Sequence, residues 1–239
     1  MRNIANKTAL ITGGTKGIGY GIAEAMLLEN MHVVITGRTK EGVADALAEL
    51  QKIKSGQAMG IVADVRLPTD MEKAVELAVT SFGSLDVLIA NAGVGHFGLI
   101  EELTFEQWQE TMDVNLTGVF NSVKAALSAL KQSENSYIIT IASLAGTNFF
   151  AGGTAYNASK FGLVGFTQAL MLDVRQQGIN VSTIMPGSVA TYFNGHVPSD
   201  ADAWKIQPED IGQISVDLLK LDPRTLPSKI EVRPSRPGK

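Results

Sequence analysis

Tyr156 and Lys160 stand four residues apart, and Ser143 precedes the tyrosine with twelve residues between them, just after the apolar run Tyr137 to Ala142. If the stretch from Thr154 is helical, the tyrosine and lysine lie one above the other on one face. A cation beside a phenol favours phenolate and lowers a pKa that is about 10 in free peptides. Tyr156 would then be an acid/base usable near neutral pH. A tyrosine and a lysine on one turn also suit an ordinary amphipathic surface, so the pair gains meaning only from what surrounds it.

A second constellation lies near the start. Thr12-Gly13-Gly14-Thr15-Lys16-Gly17-Ile18-Gly19 falls between an apolar run, Thr8 to Thr12, and a helical pattern, Ile18 to Glu29. Glycines there let a backbone approach a pyrophosphate at a helix N-terminus, where unpaired N–H groups and the dipole favour anions. The plainer alternative is a turn that only joins strand to helix. The next β-branched run, His32 to Thr36, ends in Gly37 and Arg38. An acid at that point bonds the 2′-hydroxyl of NAD, whereas an arginine accommodates the phosphate of NADP. Arg38, with Lys16 as a second cation, therefore predicts NADP(H).

These residues need a frame. Strand-like runs at Thr8 to Thr12, His32 to Thr36, Gln57 to Val62, Leu85 to Ala90, Tyr137 to Ala142, Asn180 to Met185 and Lys229 to Val232 alternate with helical patterns. The helical patterns are Ile18 to Glu29, Glu41 to Ile53, Pro68 to Phe82, Thr104 to Lys131 (with a weak spot at Asn115 and Gly118), Thr154 to Gln177 and Pro208 to Leu219. Strands separated by helices of this length imply βαβ units, and near-continuous apolar strands imply a sheet covered on both faces. The fold class expected is α/β, a Rossmann-type doubly wound parallel sheet of about seven strands. Arg38, Asp64, Asn91, Ser143 and Pro186 all fall at strand C-terminal ends, where such sheets bind ligands.

Composition narrows the class. With 239 residues, 45% hydrophobic, and 24 glycines, the chain suits one domain over residues 1–239, with a substrate loop near 188–207 and a polar tail near 233–239. A formal charge of −4 gives no footprint for nucleic acid. Cysteine is absent, and no His/Asp/Glu cluster has metal spacing. Met1 to Lys7 is too short and polar for a signal's apolar core, and no apolar run reaches membrane-spanning length, so a cytoplasmic protein is expected.

With T-G-x-x-x-G-x-G at Thr12 to Gly19, Asn91-Ala92-Gly93, Asn115, Ser143, Tyr156-x-x-x-Lys160 and Pro186-Gly187, the chain resembles the short-chain dehydrogenase/reductase family along almost its whole length. The resemblance implies that Tyr156 exchanges a proton with the substrate oxygen, and that Lys160 lowers its pKa and bonds the nicotinamide ribose. It implies that Ser143 holds that oxygen, and that Asn115 loosens its helix and anchors a water in the proton relay. It further places Asp64 and Val65 at the adenine, Asn91, Ala92 and Gly93 beside the adenine ribose, and Val189 and Thr191, after Pro186-Gly187, at the nicotinamide amide. Broad-range alcohol dehydrogenases and carbonyl reductases are the members it is most similar to. There are departures: the end, Ser228 to Pro234, lacks the Asp-Gly-Gly common in the family, and Ala90 stands where a second asparagine is frequent.

The expected activity is NADP(H)-dependent interconversion of a carbonyl and an alcohol. A 3-oxoacyl-carrier-protein reductase is the alternative enzyme, and a catalytically silent NADP-sensing regulator the alternative of another class. His96, Phe97, Phe149, Phe150, Tyr192, Phe193 and Trp204 are candidates for a pocket around a small carbonyl substrate, with His96 not taken as the base. The helix after Tyr156 is apolar on most faces, which predicts a homodimer or homotetramer.

Overall fold

Parallel strands cannot be joined by tight turns, so each needs a crossover, and the alternation in the sequence supplies one every time. The computed structural model describes residues 2–222 and 224–236. In chain order the elements are β1 (Thr8–Ile11), α1 (Gly17–Leu28), β2 (His32–Gly37), α2 (Lys40–Ile53), β3 (Ala58–Val62), α3 (Pro68–Phe82) and β4 (Val87–Ala90). There follow α4 (Phe105–Met112), α5 (Gly118–Leu130), β5 (Tyr137–Ile141), α6 (Thr154–Val174), β6 (Asn180–Pro186), α7 (Pro208–Lys220) and β7 (Lys229–Val232). The strands form one seven-stranded sheet in the order β3-β2-β1-β4-β5-β6-β7, parallel throughout. The expected α/β doubly wound sheet is therefore present.

Both faces of the sheet are dry. Ile11, Val33, Ile35, Ile89 and Ile139 pack with α1, α2 and α7 on one side. Leu10, Val34, Leu88, Ile138 and Val181 pack with α3, α5 and α6 on the other. Alternate residues of one strand serve opposite layers, as the period of two requires. Each fully buried Leu or Ile of this kind contributes about 1.5–3 kcal/mol.

The chain moves outward from β1 in one direction to β3 and then returns to β4 on its other side. That reversal opens a crevice beyond the C-terminal ends of β1 and β4. At the opposite edge, Asp86 pins the sheet. Its carboxylate accepts from the Thr8 N–H (2.8 Å), Ser84 (2.8 Å), Ser133 (2.5 Å) and Lys7 (3.0 Å). Burial alone would raise its pKa, but those four donors outweigh it and hold the carboxyl below its ordinary value.

The long pattern from Thr104 to Lys131 is two helices joined by a π turn, Asp113–Thr117, at the expected weak spot. α4 begins with a reciprocal cap: the Gln107 N–H donates to Thr104 Oγ1, and the Thr104 N–H donates to Gln107 Oε1. Among the described residues, no helix is long and apolar enough to cross a membrane. Residues 237–239 of the expected tail lie outside the described ones.

Candidate active site

The crevice is a cleft of about 760 Å³ whose walls come from every loop on the C-terminal edge of the sheet. One hydroxyl organises its floor. Thr12 Oγ1 accepts from the N–H groups of Asn91 (3.0 Å) and Ala92 (3.1 Å), and Asn91 Nδ2 donates back to the carbonyls of Thr12 (2.9 Å) and Gly13 (3.0 Å). The loops after β1 and β4 are thereby locked together. Asn91 spends its amide on this lock, so its visible part is to steady the glycine loop.

Gly13 and Gly17 have φ of +65° and +58°, a region open to glycine at no steric cost. A Cβ at Gly13 would also reach 3.0 Å from Ala92 Cα. α1 opens without a side-chain cap from Lys16 and without an acid in its first turn, and Gly17 and Ile18 line the cleft. Unpaired N–H groups at a bare, positive helix end fit a pyrophosphate. Lys16 lines the cleft too, with Nζ 5.6 Å from the centroid of Tyr192. Its side chain thus reaches the loop after β6.

At the end of β2, a Cβ on Gly37 would stand 2.4 Å from Thr15 Cγ2 and 3.0 Å from Val43 Cγ2. A side chain at this position would have to displace the Thr15 and Val43 methyl groups. Arg38 is left with its guanidinium largely in solvent, 3.7 Å from Glu110 Oε1. Glu110 also meets His96 Nε2 at 2.8 Å. Arg66 forks onto Asp64, with Nε 3.0 Å from both carboxylate oxygens. The Arg66 hydrogen bond is the main cause of an Asp64 pKa held below its ordinary value. Glu110 and Arg66 were not singled out in the sequence, because nothing local marks them: Glu110 is brought to Arg38 by the tertiary fold. Asp64, Val65, Ala92, Gly93, Gly187, Pro186, Val189 and Thr191 all line the cleft as well.

The four residues expected to carry chemistry converge on the same edge. Ser143 lies just past β5, and the turn it opens is tied to α6 by Asn157, whose Nδ2 donates to the carbonyls of Ala145 (2.7 Å) and Asn148 (2.8 Å). Tyr156 is in the first turn of α6 and, like Ser143, lines the cleft. Lys160, one turn on, is buried; its Nζ donates to the Ile141 carbonyl at 3.0 Å and lies 5.7 Å from the tyrosine ring centroid. Asn115 is fully buried in the π turn. Its Oδ1 accepts from the Val94 N–H (2.8 Å), and its Nδ2 donates to the Val94 carbonyl (2.9 Å) and Ser159 Oγ (3.0 Å). Ser159 in turn donates to the Tyr156 carbonyl at 2.8 Å. Asn115 thus joins the loop after β4 to the backbone of the tyrosine, and the loosened helix is the expected one.

The direction of the tyrosine shift is a correction. Burial raises the Tyr156 phenol above its ordinary value, the nearby Ser143 hydroxyl only partly opposes this, and Lys160 is not among the causes. Burial likewise brings Lys160 down to about 8. Low polarity disfavours phenolate and ammonium alike.

The candidate aromatics divide. Phe97, Phe150 and Phe193 gather around Tyr156, with Phe97 5.3 Å and Phe193 5.7 Å from it between centroids, and Phe97 5.9 Å from Phe150. Phe149 turns outward and stacks on Phe161, and Trp204 lies beside Lys205. His96 is engaged by Glu110.

A parallel sheet in this strand order, with a glycine-lined cleft at its switch point, is the frame on which dinucleotides bind. The chain belongs to the short-chain dehydrogenase family, whose model matches residues 7–202. It is 37% identical over 187 residues to D-beta-hydroxybutyrate dehydrogenase of Cupriavidus necator, covering 77% of this chain and 71% of that one. The fold superposes on an alcohol dehydrogenase from Thermococcus sibiricus complexed with 5-hydroxy-NADP, with a TM-score of 0.89, 27% identity and coverage of 98% and 99%. It also superposes on a 3-ketoacyl-(acyl-carrier-protein) reductase from Brucella melitensis complexed with NADH, with a TM-score of 0.88, 26% identity and coverage of 98% and 99%. The protein is a short-chain oxidoreductase acting on alcohol or carbonyl substrates.

Proposed function

We propose that the protein reversibly reduces a carbonyl to an alcohol with NADP(H) as the preferred cofactor and Tyr156 as the acid/base. The observation that carries this is the convergence of Ser143, Tyr156 and buried Lys160 on one cleft, whose wall also includes the bare end of α1. Gly13, Thr15, Gly17 and Ile18, which line the cleft, would hold the pyrophosphate, with Arg38 facing the 2′-phosphate; Gly19, buried against Asn91 and the Gly13 carbonyl, would instead let α1 approach that lock. The filled space at Gly37 and the exposed guanidinium of Arg38 support NADP(H). A nicotinamide, when bound, supplies or takes the hydride.

The chain's own groups handle the oxygen and its proton. The Ser143 hydroxyl donates to the carbonyl oxygen, drawing electron density from the carbon. The raised phenol stays protonated at neutral pH and can give its proton to that oxygen as charge develops there. The Lys160 ammonium, when charged, offsets the phenolate left behind, and Asn115, through Ser159, holds the tyrosine's turn in place. Half-buried apolar residues Leu116 and Phe166 and the exposed Phe120 and Leu172 on α5, α6 and the π turn support a homodimer or homotetramer. The test is oxidation of NADPH and NADH against ketones, aldehydes, sugars and acyl thioesters. Turnover with NADPH at least tenfold more efficient than with NADH is expected; no turnover with any carbonyl, or a preference for NADH, would overturn the reading.

A further inference from the structure

Three rings close over the site where the substrate oxygen must arrive. Besides their contacts with Tyr156, Phe97 and Phe193 lie 6.3 Å apart between centroids. Both ring tips converge on Gly95: a Cβ there would stand 2.6 Å from Phe193 Cζ and 2.9 Å from Phe97 Cζ. Phe193 therefore fills a slot made by the Gly95 backbone, Phe97 and the tyrosine ring.

That ring lies on a short stretch between two anchored ones. At the base of its loop, the Ala190 N–H donates to the Ile206 carbonyl (2.9 Å) and the Ile206 N–H to the Ser188 carbonyl (3.1 Å). Further on, Asp202 is held by His196 (2.7 Å), Lys205 (2.5 Å) and the Ser199 N–H (3.0 Å). Between them, the short 3-10 turn Phe193–Gly195 is broken by Asn194 and Gly195, with φ of +53° and +75° in succession. Phe193 precedes that kink directly.

Most basic side chains near the slot are engaged. Lys160 is bonded to the Ile141 carbonyl, His96 to Glu110, and His196 and Lys205 to Asp202, while Lys16 lies over the Tyr192 ring. Four of these five are held by partners in the protein, and Lys16, without a hydrogen bond or ion pair of its own among the described residues, lies over Tyr192 beside the glycine loop.

We propose that Phe193 occupies the place of the substrate's own substituent, so that the substrate is an uncharged ketone carrying a ring-sized apolar group, of the aryl alkyl ketone class. The inference rests on the carbonyl-reducing function proposed above and sharpens it. The substituent displaces Phe193 and packs between Phe97 and the Gly95 backbone, leaving the carbonyl oxygen toward Tyr156 and Ser143. Offset or edge-on ring contacts make this slot selective for flat apolar groups.

The test is kcat/KM with NADPH for acetophenone, 2-acetylnaphthalene, 2-butanone and acetoacetate. In the wild type, acetophenone should exceed 2-butanone and acetoacetate by at least tenfold. Phe97→Ala should lower the value for acetophenone more than for 2-butanone. Phe193→Ala should raise the ratio of 2-acetylnaphthalene to acetophenone at least fivefold, with Phe193→Leu between it and the wild type. That gain is one a damaged fold would not produce. Preference for acetoacetate or 2-butanone, or an unmoved naphthyl-to-phenyl ratio in both Phe193 variants, overturns the substrate class while leaving carbonyl reduction intact. Failure of the wild type to turn over any of the four overturns the substrate class, and the reading beneath it falls only when the wider panel of ketones, aldehydes, sugars and acyl thioesters also goes unreduced with both cofactors.

Discussion

Lys160 Nζ donates to the main-chain carbonyl of Ile141 at 3.0 Å, at the last residue of β5, in a place with almost no solvent. An ammonium buried there loses hydration that one neutral carbonyl does not replace, and the group is brought from 10.5 to about 8. A depressed lysine means the unfolded chain binds the proton more tightly, so this group lowers stability below pH 8, and the loss is relieved as pH rises toward 10.5. The cost at neutral pH is about 3 kcal/mol, less about 1–2 kcal/mol for the hydrogen bond. Lys160→Met should therefore gain about 1–2 kcal/mol in urea unfolding at pH 7. The gain should shrink at pH 9.5, and turnover should be lost at both.

The same two shifts set a pH profile. Tyr156 is raised and keeps its proton through neutrality, so proton donation to a carbonyl has its acid ready. Lys160 loses its charge above about 8, and with it the support for the developing phenolate. The kcat for ketone reduction should be flat from pH 6 to 7.5 and fall above 8, measured under saturating cofactor. A rise across pH 8 to 9 would contradict this.

Glu110 faces Arg38 on one side and His96 on the other. Its charge opposes any phosphate that Arg38 attracts. Glu110→Gln should tighten NADPH binding about two- to fivefold while leaving NADH within twofold, since exposed charge pairs are worth roughly 0.2–1 kcal/mol. Arg38→Asp should weaken NADPH far more than NADH. Fluorescence titration of both nucleotides reads both variants, and equal effects on the two would refute the assignment of this corner to the 2′-phosphate.

Asp86 is a structural counterpart to the site, with four donors at the far edge of the sheet. Asp86→Ala leaves the buried Thr8 N–H without its acceptor and should cost about 2–4 kcal/mol at pH 7. Because the folded carboxyl is depressed, its contribution is present above the unfolded pKa near 3.9 and is lost as pH falls through it and below. The difference between wild type and variant in chemical unfolding should narrow between pH 5 and pH 3.

Much of this architecture was legible in the chain. α3 runs from Pro68 to Phe82 as expected, because proline at its first turn and Gly83 in the left-handed region mark both ends locally. β7 also matches its expected span, and the π turn falls where asparagine and glycine interrupted the helical pattern. What the chain withheld depends on residues distant in sequence. The Glu110 contact with Arg38 and the bond from Asn115 to Ser159 join residues far apart in the chain and carry no local signature. The sign of the Tyr156 shift was misjudged for the same reason: helical spacing shows which side chains share a face, but burial depends on what covers that face. Phe149 and Phe193 were equal candidates by type, and only the fold turns one outward onto Phe161 and the other onto Gly95.

The central claim is that the Tyr156 hydroxyl moves the proton while the rest of the site only holds the reactants. Tyr156→Phe removes one oxygen and keeps the ring packed against Phe97 and Phe193. Steady-state oxidation of NADPH with the best ketone, set beside NADPH titration of the same preparation, measures the two functions separately. The prediction is a loss of at least 10³-fold in kcat with the NADPH Kd within threefold of wild type, in the range expected for a positioned acid. Turnover within tenfold of wild type would contradict the account.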